Sequence, residues 1–255
     1  MANIAKTIAI INQKGGVGKT TTAVNLSACL AEAGKRVLLI DLDPQGNSSS
    51  GLGLKAGGNT VYEALLGRVS FSNCIVQTVV KKLFVAPSDI RLAGAEIELV
   101  AVDKREFFLK TLIQTIQSQY DFILIDCPPS LGLLTLNALV AAKRVLIPIQ
   151  CEYYALEGVS SLMTTINRVK KSFNPSLDIE GVLLTMLDSR TNLSIQVVAS
   201  VKKYFKAKVF ATAIPRNVRL GEAPSHGLPI HMYDPKSVGA ERYRSLAKEI
   251  LKNNR

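Results

Sequence analysis

The chain has 255 residues, of which 47% are hydrophobic, a composition typical of globular proteins and not of disordered ones. Its longest apolar runs, such as 37–40 and 123–125, have the length of strands and are far shorter than the roughly 20 residues that cross a bilayer. The formal net charge of +11 indicates a basic surface, which attracts polyanions such as nucleic acid or an anionic membrane.

Short β-branched runs alternate with longer helical patterns along the chain, and this alternation is typical of βαβ units around a parallel sheet. The predicted strands are 7–11, 37–41, 83–86, 122–126, 145–149, 181–186 and 209–214. The predicted helices are 19–33, 61–66, a long stretch within 95–118, 133–142, 158–172, 193–205 and 238–252. We therefore expect an α/β fold of three layers, a predominantly parallel twisted sheet flanked by helices, as one domain over residues 1–255.

A glycine-rich segment joins the first predicted strand to the first predicted helix. Glycines let main-chain N–H groups turn inward around phosphate oxygens, and the start of the following helix adds donors and a favourable dipole. Lys19 is expected to bind the β- and γ-phosphates, and the Thr20 hydroxyl to bind Mg²⁺. The predicted nucleotide contacts are Lys14, Gly15, Gly16, Val17, Gly18, Lys19, Thr20 and Thr21.

The segment departs from the usual phosphate-loop pattern at its first position. The pattern G-x-x-x-x-G-K-[ST] would place a glycine at position 13, which is Gln13. The loop instead carries a second cation, Lys14, directly before two glycines. Lys14 can neutralise the same phosphates as Lys19, reach the phosphates of a second subunit, or remain a solvated loop lysine.

The run from Lys14 to Thr20 resembles the deviant Walker A motif of the ParA/MinD family of ATPases. The resemblance implies a deviant P-loop nucleoside triphosphatase that hydrolyses ATP. It also implies that Lys14 crosses the interface of an ATP-sandwich homodimer and takes part in catalysis with Lys19. Other members share this loop, among them septum-site regulators, iron–sulfur carriers, nitrogenase-type reductases and some synthetases. Segments further along the sequence are needed to distinguish these branches of the family.

Two acidic segments follow predicted strands. Asp41 and Asp43 lie at the carboxyl end of strand 37–41, which is where open α/β sheets bind their ligands. Asp43 resembles the family residue that orients or activates the attacking water, whereas Asp41 is interpreted as structural. Asp126 ends the apolar strand 122–126 in a Walker B pattern, and it is expected to hold Mg²⁺ through water.

The base-binding wall is predicted from the ends of two late strands. The resemblance places adenine against Pro215 and Asn217, with Asp188 as a secondary candidate. The sequence has no guanine-reading NKxD motif, and this favours ATP and ADP over the guanine nucleotides.

Segments 43–47, 126–132, 150–158 and 214–220 look like the chromosomal ParA branch, often called Soj, and the resemblance covers nearly the whole chain. It implies ATP-dependent dimerisation, non-specific binding of double-stranded DNA by the dimer, and hydrolysis stimulated by a ParB-like partner. The expected DNA contacts are Arg190, Arg216, Arg219, Lys202, Lys203 and Lys206. Only about a dozen residues precede the loop, so no helix-turn-helix for sequence-specific binding is expected there.

The cysteine pattern and the N-terminal residues favour a cytoplasmic protein, and the resemblance implies association with the nucleoid. The four cysteines show no CxxC pairing, which is typical of reduced and buried thiols. No apolar signal-peptide region precedes the first strand.

The sequence leaves two other functions open. A MinD-like membrane switch needs an amphipathic C-terminal helix with bulky apolar residues, and helix 238–252 has only a modest apolar stripe. No stable membrane association is therefore expected. A metabolic ligase or reductase is the second alternative, although the cysteines lack the paired arrangement of a reductase.

Overall fold

The computed structural model describes residues 4–54, 57–152, 155–156 and 158–253. The described strands form one seven-stranded sheet in the order β3-β4-β2-β5-β1-β6-β7. They are β1 Lys6–Ile10, β2 Val37–Asp41, β3 Val76–Gln77, β4 Leu83–Ala86, β5 Phe122–Asp126, β6 Arg144–Gln150 and β7 Asp178–Thr185. The short edge strand β3 pairs antiparallel with β4, and all other pairs are parallel. The prediction of a mostly parallel α/β sheet is confirmed.

Helices cover both faces of this sheet. They are α1 Lys19–Glu32, α2 Asn47–Gly51, α3 Val61–Leu65, α4 Leu92–Glu98, α5 Phe108–Gln114, α6 Leu133–Ala141, α7 Val159–Ser172, α8 Asn192–Phe205, α9 Arg219–Glu222, α10 Ile230–Tyr233 and α11 Val238–Lys252. Side chains alternate across a strand, so Ile8 and Ile10 of β1 join the core beneath α1 and α11, whereas Ala9 joins the core beneath α3 to α8. The three predicted layers are present.

The parallel register brings three strand ends to one edge. Asp126 of β5 lies opposite Ile10 of β1 on one side and Asp41 of β2 on the other. The chain leaves β1 at this edge and enters α1 at Lys19. Carboxylates and the glycine-rich loop therefore share the carboxyl edge of the sheet, where ligands bind in open α/β folds.

The predicted helix within 95–118 is wrong as one continuous element, because α4 ends at Glu98 and α5 begins only at Phe108. Lys104 between them has a φ of 56°, a left-handed conformation that a helix cannot contain. Asn137 on α6 fixes the intervening turn, since its amide accepts a hydrogen bond from the N–H of Leu109 and donates one to the carbonyl of Arg105.

The predicted strand 209–214 is also wrong as a full strand. Only isolated bridges join Val209 to Val182 and Pro215 to Leu187. Between them the N–H groups of residues 211 and 212 donate to the carboxylate of Glu249 on α11, at 2.8 and 3.0 Å, and not to β7. The N–H groups of Phe210 and Ile214 still donate to the carbonyls of Val182 and Leu184 in β7, at 3.0 and 2.9 Å, so the pairing with β7 is interrupted and not absent.

The C-terminal helix α11 packs on the body of the protein. Leu246, Ala247 and Ile250 are buried in the core that α11 shares with α1. Among the described residues, no helix combines the length and the apolar character needed to cross a membrane. The four cysteines are free and buried, as the sequence predicts.

Candidate nucleotide-binding site

The glycine-rich loop is open on one side. Gly16 and Gly18 have φ angles of 72° and 87°, which glycine adopts without the steric cost that a side chain brings. A Cβ atom placed on Gly15 or Gly16 would meet no atom within 4 Å. The concave side of the loop thus has room for a ligand that approaches the main chain closely.

Side chains behind the loop hold it in place. The Asn12 side chain accepts a hydrogen bond from the N–H of Lys14 at 3.0 Å and donates one to the carbonyl of Pro148 at 2.7 Å. On the other side, the hydroxyl of Thr185 donates to the carbonyl of Val17 at 2.9 Å. Strands β6 and β7 therefore fix the loop from two directions.

Lys19, the first residue of α1, is buried with only 7% of its surface exposed. Its ammonium donates to the carbonyl of Lys14 at 3.1 Å. Burial lowers the pKa of Lys19, and the nearby Asp126 carboxylate opposes this shift. A buried cation whose hydrogen-bond partner is a neutral carbonyl gains much from an anionic ligand.

Lys14 is placed differently. Lys14 is half-buried. Its main-chain N–H donates to the Asn12 side chain, and its main-chain carbonyl accepts from the Lys19 ammonium. Within the described ranges no carboxylate pairs with its ammonium. The two lysines of the loop are therefore not equivalent, since one is sequestered and the other stays available.

Asp126 is fully buried at the end of β5. One carboxylate oxygen accepts a hydrogen bond from the Ser48 hydroxyl at 2.7 Å, while the other is buried and has no hydrogen-bond partner among the described residues. Burial, and then the Asp41 carboxylate, raises the pKa of Asp126 to about 7, although the hydroxyls of Ser48 and Thr20 oppose the rise. An orphaned carboxylate oxygen near the Thr20 hydroxyl fits Mg²⁺, which prefers oxygen ligands and leaves positions for water and phosphate.

Asp41 and Asp43 have separate roles in the structure. Asp41 is fully buried and accepts hydrogen bonds from the N–H and the hydroxyl of Ser49, at 2.8 and 2.7 Å. Asp43 is 8% exposed and accepts one from the N–H of Gln45 at 3.0 Å. Asp41 thus anchors α2, as its structural interpretation predicts, and Asp43 lies in the loop beyond the strand.

A cavity of about 330 Å³ adjoins Gly18 at the start of α1. Pro215 and Asn217, the predicted adenine contacts, line it together with Thr21. Asp188 does not line it, and its carboxylate is instead bound by the guanidinium of Arg190. Further residues that the sequence does not predict as base contacts also line the cavity, and they are Val218, Leu220, Gly221 and Tyr243.

The predicted DNA contacts fall into two groups. Arg190 and Arg216 are exposed on loops and Arg219 is exposed at the start of α9, and each forms an ion pair with an acid of this chain. Lys202, Lys203 and Lys206 are exposed at the far end of α8, roughly 20 Å away along that helix at 1.5 Å per residue.

Of the resembling segment 150–158, Tyr153, Tyr154 and Glu157 lie outside the described residues.

A parallel sheet, a glycine loop entering a helix, a buried lysine and a Walker B aspartate together define a P-loop nucleoside triphosphatase. The family model described as an AAA domain matches residues 5–179. The chain is 60% identical over 252 residues to the sporulation initiation inhibitor protein Soj of Bacillus subtilis, covering 98% of this chain and 100% of that protein. It is 55% identical over 255 residues to the chromosome partitioning protein ParA of Myxococcus xanthus, covering 99% and 90%.

Among solved structures, cobyrinic acid a,c-diamide synthase from Mycobacterium smegmatis with a bound ATP analog and magnesium superimposes with a TM-score of 0.87. The two sequences are 40% identical, and the match covers 99% of this chain and 98% of the synthase chain. The chain belongs to the ParA/Soj family of chromosome-partitioning ATPases.

Proposed function

We propose that the whole chain, residues 1–255, acts as one ATPase domain that dimerises around ATP and Mg²⁺ and holds DNA in that state. Hydrolysis, slow alone and stimulated by a ParB-like protein, returns it to a monomer that releases DNA. It would thus operate in the cytoplasm on the nucleoid as a switch for chromosome or plasmid partitioning. High identity to partitioning proteins over nearly the full chain supports this role.

The observation that carries the proposal is the difference between the two loop lysines. Lys19 is buried and its ammonium lies within its own loop, at 3.1 Å from the carbonyl of Lys14. The Lys14 ammonium has no partner in the described part of its own chain. Lys19 therefore serves the nucleotide of its own subunit, and Lys14 reaches the phosphates held by a second copy.

The acids divide the chemistry between them. The Thr20 hydroxyl, and Asp126 through water, would hold Mg²⁺, which would neutralise phosphate charge. Asp43 orients the attacking water, since phosphoryl transfer depends mainly on positioning and charge neutralisation. Thr21, Pro215 and Asn217 lie against the adenine in the cavity next to Gly18.

Arg190, Arg216 and Arg219 form the primary DNA surface. Arg216 lines the nucleotide cavity, and Arg219 lies between the lining residues Val218 and Leu220. Asp188, the ion-pair partner of Arg190, lies near Arg216. The exposed guanidinium groups of these arginines suit phosphate contacts that carry no sequence information. Lys202, Lys203 and Lys206 lie too far along α8 to share one phosphate contact with them, so they add long-range attraction to the same polyanion.

Two alternatives have specific observations to weigh. The apolar face of α11 is buried against the core shared with α1, which leaves it unsuited to act as a membrane anchor. The structural relative cobyrinic acid a,c-diamide synthase is 40% identical to this chain, against 60% for the sporulation initiation inhibitor protein Soj. The partitioning role is therefore preferred.

The test is DNA binding by the isolated protein with ATP, with ADP and without nucleotide, on double-stranded fragments of unrelated sequence. We expect binding with ATP only, loss of binding in Arg219→Ala with dimerisation retained, and weakening with salt. Retention on anionic vesicles but not on DNA would contradict the proposal. Rapid ATP turnover without DNA or a protein partner would point instead to a synthase.

A further inference from the structure

Thr185, the last residue of β7, lies between the phosphate loop and the base cavity. Its main chain is fixed in the sheet, because it pairs with Gln150 of β6 and its carbonyl accepts the N–H of Cys151 at 3.0 Å. The residue is 2% exposed. Its side chain is therefore presented from a rigid element, as a precise support for a binding site requires.

The Thr185 hydroxyl donates to the carbonyl of Val17 at 2.9 Å, in a buried hydrogen bond that joins residues 168 positions apart. The peptide unit is planar and trans, so the C=O of Val17 and the N–H of Gly18 point in opposite directions. A carbonyl held toward β7 turns the Gly18 N–H away from β7. The hydrogen bond thus selects one orientation of a peptide that glycine, at a φ of 87°, would otherwise leave free to rotate.

The methyl group of Thr185 lies on the side of Gly18 where a side chain would project. A Cβ atom on Gly18 would lie 3.7 Å from this methyl carbon, which is ordinary van der Waals distance. Both residues also line the 330 Å³ cavity. One side chain therefore touches the loop that binds phosphates and the cavity that accepts the base.

We propose that Thr185 is a positioning residue that orients the Val17–Gly18 peptide for phosphate binding. The proposal concerns nucleotide binding by the isolated protein and is independent of DNA, dimerisation or a partner. A purely structural threonine would affect stability alone. A positioning threonine affects the affinity for the phosphates that the loop contacts, more than the affinity for the base.

The test compares Thr185→Val, which keeps the shape and removes the donor, with Thr185→Ser, which keeps the donor. ADP affinity is measured by fluorescence titration with Mg²⁺, and AMP affinity by competition. We expect Thr185→Val to weaken ADP about fivefold to tenfold, as loss of a buried hydrogen bond predicts, with little change for AMP. Thr185→Ser should bind ADP nearly as wild type. Thr7→Val, at another buried threonine in β1, is the matched control and should leave ADP affinity unchanged.

Wild-type ADP affinity in Thr185→Val would refute the proposal, as would equal weakening in the Val and Ser variants or equal losses of ADP and AMP. Should Thr185→Val fail to fold, Thr185→Ala and Thr185→Ser make the same comparison, because only serine keeps the hydroxyl. The melting temperature of each variant without nucleotide separates a stability defect from a binding defect.

Discussion

The ammonium of Lys19 donates a hydrogen bond to the main-chain carbonyl of Lys14, at 3.1 Å. This contact keeps a buried cation satisfied before phosphate arrives, and it leaves the Lys14 side chain to point elsewhere. A ligand phosphate would replace a neutral acceptor by a charged one, and charge-assisted hydrogen bonds are roughly twice as strong as neutral ones.

Removal of the buried ammonium should abolish tight nucleotide binding. We expect Lys19→Ala to weaken ADP roughly 10- to 100-fold, because it removes a charge-assisted contact in a desolvated site. Isothermal titration with Mg²⁺ measures this. Lys81→Ala, at an exposed lysine between β3 and β4, is the control and should bind as wild type. Unchanged ADP affinity in Lys19→Ala would contradict the assigned role.

Ser48 should support the magnesium site through Asp126, since its hydroxyl donates to the Asp126 carboxylate at 2.7 Å. Outer-shell partners of metal ligands typically change metal affinity by 10- to 100-fold when they are removed. We expect Ser48→Ala to need about tenfold more Mg²⁺ for half-maximal ATP binding.

The control for this prediction lies in the same short helix. The exposed Ser50 hydroxyl donates only to the carbonyl of Asn47, so Ser50→Ala should keep the wild-type Mg²⁺ requirement. Equal Mg²⁺ curves for Ser48→Ala and wild type would show that Ser48 does not tune the metal site.

Acidic side chains should compete with DNA for the proposed arginines. Glu222 pairs with Arg219 at 2.8 Å, and both side chains are about half exposed. Exposed ion pairs are weak, so we expect Glu222→Gln to strengthen ATP-dependent DNA binding only about two- to fivefold. Glu241→Gln, which makes the same charge change on α11, is the comparison in a fluorescence anisotropy titration. Equal gains in both variants would mean that net charge, and not the release of Arg219, is responsible.

Gly181 should be required for packing at the edge of the sheet. A Cβ atom there would overlap three atoms of the Phe210 ring. We expect Gly181→Ala to lower the free energy of unfolding by about 1–3 kcal/mol through overpacking, measured by urea denaturation. The second substitution Phe210→Leu should recover part of the loss, and Gly94→Ala in α4 should cost nothing. A fully stable Gly181→Ala would refute this packing argument.

The sequence predicts the loop, Asp126 and most strands because each depends on local pattern. A lysine and threonine after a glycine, and an acid that ends an apolar strand, are recognised from neighbouring residues alone. Their recognition does not depend on which distant segments pack against them. The failures depend on distant partners. The Glu249 carboxylate on α11 accepts hydrogen bonds from the N–H groups of residues 211 and 212. These bonds interrupt a strand that the sequence of 209–214 favours. Asn137 on α6 likewise ends the helical run before α5.

The same reason explains the contacts around the site that the sequence does not reveal. Tyr243 reaches the base cavity from α11, and its hydroxyl is within 3.2 Å of the Thr22 hydroxyl on α1. Thr185 meets Val17 across 168 residues. Neither residue carries a motif, so only the packing of helices and strands brings it to the nucleotide.

A mixing experiment tests most directly whether Lys14 acts on the nucleotide of a second subunit. Lys14→Ala and Asp43→Ala are each expected to hydrolyse ATP poorly in single-turnover assays with DNA. In a mixed dimer, the Lys14→Ala subunit keeps its own Lys19 and Asp43 and receives Lys14 from its partner, so one complete site is restored. We predict that the mixture hydrolyses ATP faster than either variant alone. A mixture no faster than the sum of the two separate variants would contradict the account.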